Sequence, residues 1–270
     1  DSPSTDVARY RAGDLDMTNY ALPPEQFAKL QKELPGEVFT TRTLATYSYE
    51  LNNKKAPFDN VNVRKALNLS LDRNVITDKV LGQGQTPTYV FTPTYIEEGH
   101  LIQQPAYSKE PMAQRNEEAI KLLEEAGYSK ANPLKFSILY NTNENHKKVA
   151  IAAASMWKAN TKGLIDVKLE NQEWKTYIDS RRAGRYDAAR AGWNADYNQA
   201  TTFGNYFLSN SSNNTAKYAN PEYDKAIAES YVATDAEGRA KAYAKAEEIL
   251  AKDFGIVPIF NYVNPVSYTH

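Results

Sequence analysis

Arg190, Trp193, Asp196 and Tyr197 lie close together, with Trp174, Arg181 and Arg182 shortly before them. A carboxylate set among guanidinium groups suits a zwitterion: the carboxylate can hold an ammonium and an arginine can hold a carboxylate. The aromatic rings add flat apolar faces with polar tips. The bland alternative is an Arg–Asp ion pair that steadies a loop, and spacing alone leaves both readings open. Arg190 and Asp196 are an even number of residues apart, so they share a face only if one strand runs through both. We expect that strand to end near Asn194, with Asp196 turning over the sheet's edge into a cleft.

Other chemistry has little support. The sequence contains no GxSxG, Walker A or HExxH pattern. Gly82-Gln83-Gly84 is a lone GxG after a helical stretch. The pairs Glu117-Glu118, Glu124-Glu125 and Glu247-Glu248 sit on amphipathic patterns and read as solvated helix faces. With no cysteine, thiolate chemistry is excluded. His100, His146 and His270 show no metal-ligand spacing, so neither metal nor cofactor is expected. A hydrolase or transferase on an α/β scaffold is the rival from another class, disfavoured by the lack of a nucleophile–base pair.

The elements that must position these residues are legible from residue 134 onward. Strand patterns at 134–140, 165–169 and 186–193 alternate with helical patterns at 143–160 and 173–183, which predicts parallel crossovers and a covered sheet. Loops at the carboxyl ends of such strands are the usual ligand sites, and 191–197 lies at one. Upstream, helices are expected at 7–12 and from Pro23-Pro24 to Lys32, a strand entry at 14–18, and strands at 38–41 and 46–52. A helix capped by Asp59 or Asn60 follows, then one capped by Asp72 and running to Leu81. Residues 82–110 read as an ordered, irregular excursion and Pro111 opens a further helix. Downstream, helices are expected at 199–208, 221–232 and 236–252, and an apolar strand at 256–263.

The chain has 270 residues, 41% hydrophobic and 24% charged, as in ordinary globular proteins, and is rich in tyrosine with 19. A net charge of -1 argues against nucleic acid as a partner. The sequence starts without methionine and stops straight after a strand-like run, so we expect a processed or truncated piece of a longer chain.

The stretch from Asn171 to Thr176, with Tyr186-Asp187-Ala188-Ala189-Arg190-Ala191-Gly192-Trp193-Asn194-Ala195-Asp196-Tyr197-Asn198, closely resembles the periplasmic oligopeptide-binding proteins of bacterial ABC importers. Arg9 to Thr18, Tyr49 to Asn53, Val63 to Leu67, Arg115 to Ala119 and Leu139 to Thr142 add to the resemblance, which runs nearly end to end. It implies an α/β, type II periplasmic-binding-protein-like lobe with a mixed, mostly parallel sheet flanked by helices, and segments of a second lobe. Residues 1–44 would belong to lobe I, 45–262 to lobe II, and 263–270 to the crossover back. The whole protein would be about twice as long, monomeric, periplasmic and non-enzymatic. It would clamp short peptides between its lobes and deliver them to the membrane permease of an ABC transporter. A murein-peptide-binding member of the same family is the close alternative.

Carried over by position, the resemblance gives Asp196 the peptide ammonium, and gives Gly192 and Asn194 main-chain pairing with the peptide. Arg190, Arg181 and His146 match groups that neutralise the carboxylate of peptides of different length. Trp174 and Trp193 would line side-chain pockets, Glu50 would border one, and Tyr197 completes the ligand-binding set. The sequence departs at Leu81, where some members carry a lysine that helps hold the carboxylate. It departs also at Ala45 and Asn194, where some carry a disulfide pair.

Overall fold

The computed structural model describes residues 3–18 and 22–268. Residues 1, 2, 269 and 270, on which the expected chain ends partly fall, lie outside them. Helices α1 (Pro3–Arg11) and α2 (Pro24–Glu33) open the chain, α2 with proline in its first turn, where a missing N–H costs nothing. The strand expected at 14–18 is a single bridge, Met17 to Tyr268.

The two strands expected at 38–41 and 46–52 form one long strand, β1 (Val38–Leu51). Its register against the last strand, β6 (Ile256–Ser267), slips between Arg42 and Thr46. That local irregularity is what broke the alternating pattern in the sequence. Helix α3 (Val61–Leu69) takes Asn60 as its cap, the side chain accepting from the Asn62 amide at 2.9 Å. Asp72 accepts the Asn74 amide at 3.0 Å ahead of a π-helical segment, Val75–Leu81, closed by Gly82 at φ 64°. The excursion contributes only β2 (Thr86–Pro87) and a 3-10 turn, Ala106–Lys109. It is nonetheless ordered: Glu247, expected on a solvated helix face, is instead buried, and its carboxylate accepts the amides of Phe91 at 3.1 Å and Thr92 at 2.5 Å.

Next come α4 (Met112–Glu125), β3 (Leu134–Asn141), α5 (Glu144–Asn160), β4 (Ile165–Gln172), α6 (Trp174–Arg182) and β5 (Ala188–Asn194). The helix expected at 199–208 splits into α7 (Thr201–Gly204) and a 3-10 turn, Asn205–Phe207. Helices α8 (Pro221–Val232) and α9 (Ala236–Asp253) are capped by Asn220 and Asp235.

The sheet is mixed, in the order β2-β6-β1-β5-β3-β4. The parallel pairings expected from strand–helix alternation are present, β3 with β4 and β3 with β5. The parallel part is smaller than expected, because β1, β2 and β6 pair antiparallel. One face is covered by α3, α4 and α5 over a core that holds Tyr47, Tyr49, Phe136 and Trp157, whose indole donates to the Leu67 carbonyl at 2.9 Å. A second cluster of Phe91, Phe203, Phe207, Tyr223 and Ile227 lies with α7, α8 and α9. Val7, Leu22, Phe27 and Leu30 form a separate small cluster near the N terminus.

Candidate functional site

Strand β5 carries the site. Its whole length pairs with β1, Ala45 opposite Asn194 and Leu51 opposite Ala188. Its other edge pairs with β3 only at Ala188 and Ala189. From Arg190 to Asn194 that edge has no strand partner among the described residues. In an antiparallel pair, alternate residues turn their backbone groups toward the partner. The Ala195 amide donates to the Leu44 carbonyl at 2.8 Å, so the same alternation turns Trp193 and Ala191 toward β1. The N–H and C=O groups of Gly192 and Asn194 therefore face the open edge, and both residues are exposed. The Arg190 carbonyl, on the same edge, accepts the Tyr177 hydroxyl.

The absence of a side chain at Gly192 makes room for its neighbours. A Cβ would lie 2.7 Å from Arg190 Nη2 and 2.9 Å from the Tyr262 hydroxyl. Without one, the Arg190 guanidinium folds over the strand. Its Nη2 donates to the Tyr262 hydroxyl at 2.6 Å, its Nη1 to Asn141 Oδ1 at 3.4 Å, and it lies 5.3 Å from the centre of the Tyr47 ring. The buried Arg190 Nε has no hydrogen-bond partner, which leaves donor capacity at the end of the edge.

His146 sits beside this group, its ring 5.6 Å from that of Tyr47 and its Nδ1 unpartnered. Burial, and secondly the Arg190 charge, push its pKa down to about 3. In the unliganded site, burial and the Arg190 charge thus favour the neutral imidazole over the charged form that would neutralise a carboxylate. Its folded pKa lies below the unfolded value, so the unfolded chain takes up the proton first. Its contribution to stability is full above about pH 6.5 and declines as pH falls toward about 3. His146→Gln is expected to remove this slope, a difference of about 1 kcal/mol by about pH 6. Urea unfolding of both proteins across that range checks it, and identical slopes would count against the buried neutral state.

Beyond Asn194 the chain leaves the sheet, as the sequence predicted. Asp196 is exposed, and its amide donates to the Thr202 hydroxyl at 3.3 Å. Its carboxylate accepts no hydrogen bond among the described residues. Tyr197 is 49% exposed and Trp174, at the start of α6, is 58% exposed, so both rings are open for contact. Trp193 points to the opposite side of the strand from Gly192. Its indole donates to the Thr202 carbonyl at 3.0 Å and its ring lies 5.0 Å from that of Tyr206.

Two expected site residues are placed elsewhere. Glu50 is fully buried, and its carboxylate accepts Arg181 Nη2 at 2.9 Å, the Tyr206 hydroxyl at 2.6 Å and the Thr215 hydroxyl. Arg181 also donates to Tyr206 and Thr215. Burial this far from water sets the Glu50 carboxylate against a cation, while the buried Arg181 Nε keeps no hydrogen-bond partner among the described residues. In the unliganded chain these two charges are thus paired with each other rather than presented at the open edge. Sequence reasoning in turn missed Tyr262, Asn141 and Tyr47 around Arg190; only the alternation of Tyr47 and Tyr49 hinted at a lined face. Leu81 is buried in the main core. Ala45 and Asn194 face each other across β1 and β5, the geometry a cross-strand pair would need.

The arrangement is an open edge rather than a cavity. The partly open void beside Phe91 and Glu247 holds about 10 Å³, room for one water at most. No group of potential metal ligands occurs among the described residues.

Known proteins match this chain closely. The family described as bacterial extracellular solute-binding proteins, family 5 Middle, matches residues 1–215. The periplasmic oligopeptide-binding protein OppA of Haemophilus influenzae is 95% identical over 265 residues, 98% of this chain and 49% of that protein. The periplasmic murein peptide-binding protein MppA of Escherichia coli is 43% identical, over 97% of this chain and 48% of that protein. The crystal structure of Haemophilus influenzae OppA in complex with RPPGFSPFR aligns with a TM-score of 0.94 at 93% identity, over 99% of this chain and 52% of that one. The chain thus spans about half the length of the relatives it matches.

Proposed function

Since the chain belongs to the family 5 bacterial extracellular solute-binding proteins, we propose that it supplies one lobe of a periplasmic protein that captures short peptides for an ABC permease. The observation that carries this reading is the unpartnered edge of β5, with the exposed Asp196 carboxylate past one end and the Arg190 guanidinium at the other. An extended peptide can add to such an edge as a strand, and its main-chain bonds give affinity without reading side chains. Arg190 to Asn194 spans about 13 Å at the usual strand rise, the reach of an extended chain of about four residues.

In this reading residues 45–262 form lobe II, and 1–44 with the end of β6 form the base of lobe I. The separate N-terminal cluster and the slip in β1 near Arg42 support that division. The second lobe closes over the peptide, and the closed monomer is what the permease docks. The protein binds and does not catalyse; its close relatives are named as binding proteins.

Native mass spectrometry of the full-length protein tests the function. Co-purified ligands are expected to fragment as short ordinary peptides with free amino termini. Murein-derived peptides would instead support the alternative suggested by the MppA likeness, and a preparation that neither carries nor takes up peptides would refute both.

A further inference from the structure

We infer that Glu98, far from Asp196 in sequence, is the positioning residue that fixes the Asp196 loop for the peptide ammonium. The inference rests on the peptide-capture reading above. Glu98 lies in the irregular excursion, is only 6% exposed, and adopts a left-handed backbone at φ 63°, a conformation that non-glycine residues hold only where their surroundings enforce it. Its Oε1 accepts Arg239 Nε at 2.9 Å and Nη2 at 2.7 Å, which ties it to α9. Its Oε2 accepts Gln199 Nε2 at 2.9 Å, which ties it to the loop after β5.

The attachment continues toward the site. Gln199 Oε1 accepts the Thr201 hydroxyl at 2.8 Å. The neighbouring Thr202 hydroxyl receives the Asp196 amide, and the Thr202 carbonyl receives the Trp193 indole. The backbone adds a second strap: the Ala200 amide donates to the Glu97 carbonyl at 3.0 Å, and the Glu97 amide to Asn198 Oδ1 at 3.1 Å. At the near end the Ala195 amide is held by Leu44. The hydrogen bonds that hold the loop thus lie on its flanks, while the exposed Asp196 carboxylate accepts none among the described residues. A carboxylate with no hydrogen bonds of its own is only as well placed as the loop that carries it, and pre-organisation of that loop sets how much an ammonium gains by binding. Among the described residues the Glu98 side chain joins α9, the excursion and this loop, beside the direct contact of the α9 residue Tyr243 with the Thr201 hydroxyl at 2.6 Å.

The test uses full-length protein and calorimetry with trialanine and N-acetyl-trialanine. Glu98→Gln is expected to weaken trialanine by about tenfold and the acetylated form by less than about twofold. Gln199→Leu, which leaves the Glu98–Arg239 pair in place, is expected to act in the same way and decides the matter if Glu98→Gln does not fold. In an Asp196→Ala background neither change should cost anything further, because all three act on one interaction. Equal losses for both peptides, or losses that add to that of Asp196→Ala, would overturn the inference and reduce Glu98 to a structural role. If Asp196→Ala itself spares the preference for a free amino terminus, the reading of Asp196 falls and this inference with it. If Asp196→Ala abolishes the preference while the other two variants keep it, only the role of Glu98 falls.

Discussion

Replacing Arg181 by methionine is expected to destabilise the protein by about 3–5 kcal/mol, because it strands a buried carboxylate without its cation. Glu50 has no exposure to solvent, and Arg181 is the only cation that reaches it among the described residues. The hydroxyls of Tyr206 and Thr215 remain as donors, but neutral donors cannot replace a charge at this depth. The double variant Glu50→Gln with Arg181→Met should regain much of the loss, since both charges then leave the interior together. Urea unfolding of the three proteins measures this. If Arg181→Met unfolds like the parent and instead loses peptide affinity, the guanidinium serves ligand, and the structural assignment of the pair is wrong.

Asp196→Ala is expected to weaken peptides with a free amino terminus by about tenfold to a hundredfold, the range of about 1.5–3 kcal/mol for a hydrogen bond to a charged group. N-acetylated peptides of the same sequence should change little, because they carry no ammonium for the carboxylate to hold. Stability should hardly move, since the side chain is exposed and makes no hydrogen bond or ion pair among the described residues. The contrast with Arg181 is the informative part. One charged residue is expected to matter for folding and the other for ligand, although both lie near β5. Calorimetry with matched free and acetylated peptides gives the answer. Parallel losses for the two, or a fall in unfolding free energy equal to the loss in affinity, would remove Asp196 from the ammonium site.

The two charges differ because of their depth. Exposed Asp196 keeps its hydration in the folded chain. Glu50 gives up its hydration on folding, so it must be neutralised within the protein from the start. Arg190 lies between these extremes. It is half-buried and held by Tyr262 and Asn141, yet one of its donors stays unpartnered.

Local sequence determined the elements and the edge of the site. The alternation of strands and helices from Leu134 to Asn194 fixed the parallel unit, and the caps at Asn60 and Asp235 fixed where two of the helices begin. The end of β5 at Asn194 was legible too, and with it the release of Asp196 from the sheet. These features follow from periodicity and capping, which act over a few residues. Tertiary structure alone decided which charged residues remain available. Glu50 and Arg181 are far apart in sequence, and only the pairing of β1 with β5 and the packing of α6 bring them together in the dark interior. The same holds for His146, whose lowered pKa comes from burial and from Arg190 rather than from its neighbours in sequence. Desolvation and long-range pairing are properties of the packed chain, so they assigned the roles that residue types and spacing had left open.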